Sequence, residues 1–199
     1  MRKIFCALFI ALIPGLCIAG QGMGPGPGAK SYSGGGGGCA TQSVAIQQTS
    51  YNDRTNALYV DGYCHGQTIT PASTITVYSI IVRCHTYNGG TPTLTLRIGT
   101  GADLATYIAQ ATAVCSAVGE VEFIFDSGAR PTLTASTEYL FGVRSNGAFI
   151  NLVELSDNSA GGYAAGYEVR SGEGTNDWAI IVAPGGGTYD FYFKIKKCD

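Results

Sequence analysis

Thr93-Leu94-Thr95-Leu96-Arg97-Ile98 places an aliphatic side chain at every second position, with threonine and arginine between. Alternate side chains of an extended chain point to opposite faces, so this stretch reads as a strand with one apolar and one polar face. The period recurs later in the chain. Val121, Phe123 and Phe125 alternate with Glu122, Ile124 and Asp126, and Tyr189, Phe191, Phe193 and Ile195 alternate with Asp190, Tyr192, Lys194 and Lys196. Ser73 to Val82 is nearly continuous in β-branched and aromatic residues, as in a central strand covered on both faces. Turn signals fall between the runs: Asn88-Gly89-Gly90, Gly99-Thr100-Gly101, Ser127-Gly128, Asn146-Gly147, Gly161-Gly162, Gly172 to Gly174 and Pro184 to Gly187. Ala102 to Ala113 has helix-forming composition but carries β-branched residues, and reads as a loop entering a strand. Many short strands with glycine-rich turns predict an all-β fold, an antiparallel β-sandwich of jelly-roll type.

Composition agrees with this reading. Apolar residues make up 45% of the 199 and charged residues 13%. Disorder requires the opposite balance, and the length suits one buried domain with tails. That domain is expected over 43–199.

Ahead of it, Arg2-Lys3, the apolar Ile4 to Leu16 and the small-residue site Cys17-Ile18-Ala19 form the pattern of a signal peptide, 1–19. A lipoprotein reading would lipidate Cys17, but Leu16 stands where a small residue is wanted. The apolar run is too short for a membrane span. Residues 20–42 read as a Gly/Pro-rich spacer; Gly22 to Gly28 repeats glycine every two residues, not the three of collagen, and Gly34 to Gly38 lacks the Lys-Ser/Thr of a phosphate loop. The expected location is secreted or cell-surface. Without Arg2 and Lys3, ten basic residues face fourteen acidic ones, a net charge of −4. Such a balance, with lysines clustered only at 194, 196 and 197, excludes the phosphate neutralisation on which nucleic-acid binding rests.

Loss of the leader leaves Cys39, Cys64, Cys84, Cys115 and Cys198. An exported chain permits disulfides, and an odd count leaves one thiol over. Counting strands up and down brings Cys84 and Cys115 to one end of the sandwich, and Cys64 and Cys198 together as a second pair. Cys39 is then unpaired and available for an intermolecular disulfide.

Chemistry-bearing motifs are sparse. His65 and His85 lie in matching Cys-His dipeptides, but neighbouring strand residues face opposite ways, so each dipeptide offers one ligand to a given site. No G-x-S-x-G elbow is present and no histidine follows position 85. Glu120 and Glu122 share a strand face, a spacing common on solvated surfaces. No catalytic residue is assigned, and the chain is not read as an enzyme; a hydrolase would need two carboxylates facing each other across a cleft. Asp157 and Asp177, in Asp157-Asn158 and Asn176-Asp177, are the candidates for a loop calcium site, calcium being the one cofactor considered; otherwise they are turn residues. Tyr163, Tyr167, Arg170 and Trp178 gather aromatic and hydrogen-bonding groups within Gly161 to Trp178, the chemistry that a sugar surface requires. The same aromatics serve equally well to cover a core.

From Gly66 to Phe193, roughly two-thirds of the chain, the order of elements resembles the choice-of-anchor R type of bacterial surface and secreted β-sandwiches. The matching stretches are Gly66-Gln67-Thr68-Ile69, Thr76-Val77-Tyr78-Ser79-Ile80, Thr93 to Ile98, Leu133 to Tyr139, Gly162 to Tyr167, Trp178, and Tyr189 to Phe193. The resemblance implies a jelly roll like concanavalin and carbohydrate modules, outside the cell and without catalysis, with Trp178 as a framework residue. Attachment through the linker and Cys39, or release, is expected in place of the anchoring segment such proteins carry. The leading expectation is a binder of glycan or of a cell-surface polymer; the alternative is a structural part of a surface layer, filament or phage-related appendage.

Overall fold

The computed structural model describes residues 39–51, 54–58, 64–87, 92–100, 104–145, 153–158, 163–171, 180–182 and 190–199. The expected leader and most of the spacer lie outside the described residues. Among the described residues there is no helix. In chain order the strands are β1 (Gln42–Gln48), β2 (Arg54–Leu58), β3 (Cys64–Ile69), β4 (Ile75–Tyr87), β5 (Thr93–Gly99), β6 (Ala109–Val114) and β7 (Gly119–Ile124). They continue as β8 (Thr132–Leu133), β9 (Tyr139–Ser145), β10 (Val153–Asn158), β11 (Glu168–Ser171), β12 (Ile180–Val182), β13 (Asp190–Phe191) and β14 (Phe193–Cys198). Ala109–Val114 is thus the strand that the Ala102 to Ala113 loop enters.

The strands form two sheets, with every ladder antiparallel. The first runs β1-β14-β4-β10-β13, with β2 on β10 and both β7 and β8 on β4; the second runs β12-β11-β3-β9-β5-β6. β4 is the central strand that its composition predicts, with β14 on one side and β7 on the other. The registers explain the core. Ile195, Ile80 and Phe123 lie in one row across β14, β4 and β7, and Phe193, Val82 and Val121 in the next. From the second sheet, Leu94, Leu96 and Ile98 of β5 and Phe141 and Val143 of β9 enter the same buried cluster. Phe141 of the second sheet meets Phe193 of the first edge-to-face, with ring centroids 5.3 Å apart. The two sheets are therefore faces of one sandwich.

The Leu133 to Tyr139 stretch makes a corner. Thr134 N–H donates to the Tyr139 hydroxyl at 2.9 Å, so the buried ring that starts β9 also holds the turn before it. The β6–β7 connection crosses from the second sheet to the first at one edge of the sandwich.

The cysteines require a correction. Cys39 and Cys198 form a disulfide, with Cα atoms 5.4 Å apart. The expected Cys64–Cys198 pair and the unpaired Cys39 are both overturned, and with them the intermolecular bond through Cys39. Strand direction tells which end of the sandwich a residue reaches, but not which sheet it belongs to. Cys64 lies on the outer face of the second sheet, whereas Cys198 ends β14 in the first, where its register partner is Gln42 of β1. Cys39 stands three residues before Gln42 and reaches Cys198 directly.

Candidate functional site

The residues singled out between Gly161 and Trp178 do not form one platform. Tyr163 is half-buried, its ring edge-on to Phe193 at 5.3 Å, and it closes the main core. Burial pushes its phenol pKa up. Tyr167 belongs to the other side of the second sheet, against Cys64, Leu104, Leu140 and Val169. Arg170 takes its register position in β11 between His65 and Ile181. Trp178 and Asp177 lie outside the described residues. Asp157 is paired in β10 with Arg54 and Phe191.

What the 163–167 segment does have is a firm attachment. Tyr163 N–H donates to Asp190 Oδ2 at 2.6 Å, Tyr167 N–H donates to Thr68 Oγ1 at 2.8 Å, and Thr68 N–H donates to the Tyr167 carbonyl at 2.9 Å. Gly166 lies so close to the Thr68 carbonyl that a Cβ there would collide with it. The other Asp190 oxygen accepts from Gln67 Nε2 at 2.9 Å, and Gln67 Oε1 accepts from Phe191 N–H at 2.9 Å. Gln67 is in the second sheet and Asp190 in the first, both fully or nearly buried, so this amide–carboxylate link ties the sheets together. His65 Nδ1 stands 3.8 Å from Glu168 Oε1 in the same buried strip. Alternation alone would place Asp190 in solvent, and no local signal in the sequence marks its burial.

Glu120 and Glu122 occupy the outer face of the first sheet, where ion pairs absorb them. Lys194 Nζ is 2.6 Å from Glu120 and Lys196 Nζ is 3.0 Å from Glu122. Tyr192 also donates its hydroxyl to Glu120. Lys194 and then Tyr192 lower the Glu120 pKa, and Glu120 raises that of Lys194. A lowered carboxylate pKa contributes stability above the ordinary glutamate range and loses it as pH falls through the folded value. The raised lysine pKa contributes below the ordinary lysine range and loses it as pH rises through its folded value. We expect Glu120→Gln to lower the urea midpoint at pH 7, with the gap to wild type closing as pH falls through the folded Glu120 value. Glu120 is partly exposed, so solvent screening holds the difference to at most about 1 kcal/mol.

The outer face of the second sheet is different in kind. Thr112, Thr95 and Arg144 form one row across β6, β5 and β9, and Gln110, Arg97 and Gly142 form the next. Arg97 Nε donates to Gln110 Oε1 at 2.8 Å, and Nη1 donates to the Leu104 carbonyl at 3.1 Å. The Arg97 guanidinium also lies over the Tyr107 ring, 4.3 Å from its centroid, within cation–π range. Tyr107 itself is 42% exposed. Gly142 makes the arrangement achievable: a Cβ there would collide with Cys64 Sγ and Leu104 Cδ1, so glycine lets Leu104 seat on the sheet and bring the 104–108 segment over Arg97. Burial pushes the Cys64 thiol up to about 12, against the opposing pull of Arg144 and Arg97. At neutral pH it is a protonated thiol rather than a nucleophile.

This face therefore carries two guanidiniums, an amide, the exposed Thr112 hydroxyl and an aromatic ring, with Arg97, Gln110 and Tyr107 held together; Thr95 is buried. These are groups for recognising a ligand: donors for carboxylate, phosphate or hydroxyl oxygens, and a ring for apolar C–H faces. Sequence reasoning named this chemistry but attached it to Tyr163, Tyr167, Arg170 and Trp178. The pattern Arg97, Tyr107 and Gln110 was readable once β5 and β6 were paired. Among the described residues, no three His, Cys, Asp or Glu side chains are grouped so as to hold a metal ion. Among them, too, no helix is long and apolar enough to cross a membrane. In comparisons with known proteins, no family model matches the chain and no curated protein matches it.

Proposed function

We propose that the protein is a non-catalytic, exported binding domain that holds an acidic glycan or cell-surface polymer on the outer face of its second sheet. The observation carrying this reading is the Arg97–Gln110–Tyr107 arrangement beside Arg144. Guanidiniums fixed by their neighbours lose little entropy on gripping an anionic group, and the exposed tyrosine supplies the apolar contact that sugars favour. The resemblance to choice-of-anchor R surface sandwiches supports export and jelly-roll topology as parts of the same proposal.

The test is a glycan array probed with the oxidised domain, with and without calcium, beside Arg97→Ala and Tyr107→Ala. Arg97→Ala should weaken binding to acidic glycans roughly 10- to 100-fold, the scale of a lost hydrogen bond to a charged group. Undiminished binding by a folded Arg97→Ala protein would move the site elsewhere. Silence of the wild type on every glycan would sink the reading.

A second reading, assembly into a surface layer or filament, draws on the β6–β7 edge. Val114, Val118 and Ile124 are each about half exposed there, at 51%, 57% and 50%, and apolar groups beside an edge strand favour association. A strictly monomeric protein in sedimentation at high concentration would remove it.

A further inference from the structure

We infer that Cys84 and Cys115 are the two halves of a second disulfide, one that fastens the first sheet to the second at the β6–β7 edge. Cys84 is in β4, and its register partner is Gly119, the first residue of β7. Cys115 immediately follows β6 in the other sheet, held by its N–H to the Pro92 carbonyl at 3.1 Å. The short 115–118 connection crosses between the sheets and returns the chain to Cys84's own partner. Gly119 makes the re-entry with a φ of 142°, a conformation that favours glycine. Both cysteines are fully buried in the one core cluster, and their sulfurs are in hydrogen-bonding contact as thiols.

The bond forms by thiol–disulfide exchange: one of the two cysteines, as thiolate, displaces one thiolate from a small disulfide such as oxidised glutathione and forms a mixed disulfide. The other cysteine then gives up its proton and attacks the protein sulfur of that mixed disulfide, expelling the second glutathione thiolate. Two protein thiols are oxidised and one glutathione disulfide is reduced to two thiols. Since neither sulfur is exposed, the exchange runs before the core closes or through opening of the 116–118 turn, whose residues are exposed.

Trypsin separates the five cysteines after Cys17, because cleavage follows Lys and Arg but not before Pro131. Cys84 falls in Cys84–Arg97 and Cys115 in Ile98–Arg144, apart from the peptides carrying Cys39, Cys64 and Cys198. The full chain is folded in a glutathione redox buffer, alkylated, digested without reduction and weighed. The expected result is a linked Cys84–Arg97/Ile98–Arg144 species, two hydrogens lighter than the sum of the two peptides and split by reductant. The Cys39–Cys198 link is the internal control: if it has formed and both peptides are fully alkylated, the inference is overturned. A link from either cysteine to Cys64 overturns it equally.

Discussion

Phe141→Ala is expected to destabilise the domain by about 3–5 kcal/mol, the range for deleting a buried aromatic. The ring is fully buried and is the second sheet's contact with both Phe193 and Phe191, at centroid separations of 5.3 and 6.3 Å. Removing the ring would leave a cavity beside the buried Gln67–Asp190 link, and the facing rings would lose their contacts outright. Because a domain's whole stability is about 5–15 kcal/mol, the variant should lie near the edge of folding. Urea unfolding followed by tyrosine fluorescence measures it. A loss below about 1 kcal/mol would mean that the sheets do not meet through this residue.

Breaking the Cys39–Cys198 disulfide should have an effect of similar size by a different route. The bond closes a loop with a sequence separation of 159 residues. In the chain-entropy account, opening a loop of that length returns roughly 5 kcal/mol of conformational freedom to the unfolded chain. Cys39→Ser should therefore lower the urea midpoint steeply while leaving the folded contacts of β1 and β14 in place. Mild reductant should reproduce the shift in the wild type, and any further fall in the variant would come from the Cys84–Cys115 bond. A variant as stable as the wild type would show that the unfolded chain is already confined, or that the bond does not form.

The two predictions concern features of unequal visibility in the sequence. Period-two alternation assigned Leu94, Leu96, Ile98, Phe123, Phe193 and Ile195 to a core that they do occupy, so one partner of the Phe141 contact was legible while Phe141 itself was not singled out. Alternation is a local property, and it survives folding wherever a strand is straight. It fails at Asp190, the first residue of β13, whose carboxylate turns inward to meet Gln67. The disulfide depends instead on which sheet each strand joins, and that is decided by pairing partners far away in the chain. The direction count brought Cys84 to the end of the sandwich where Cys115 lies, and both stand there as free buried thiols; it missed Cys198 because it took no account of the sheet. The candidate face was illegible for the same reason. Arg97, Gln110 and Arg144 become neighbours only when β6, β5 and β9 are laid side by side, and no spacing within any one strand announces it.

The position of the Cys39–Cys198 bond also bears on how the domain carries a load. A pull entering through residue 38 would, on the backbone alone, peel β1 away from β14 from one end, rupturing its ladder bonds in sequence. β1 is an edge strand of its sheet, paired among the described residues with β14 alone. The covalent bridge shares that pull with Cys198, and so with β14, which is held on one side by β1 and on the other by β4. Force between the N-terminal segment and a ligand on the second sheet would then be met by both strands at once, anchored through the core and not through the edge.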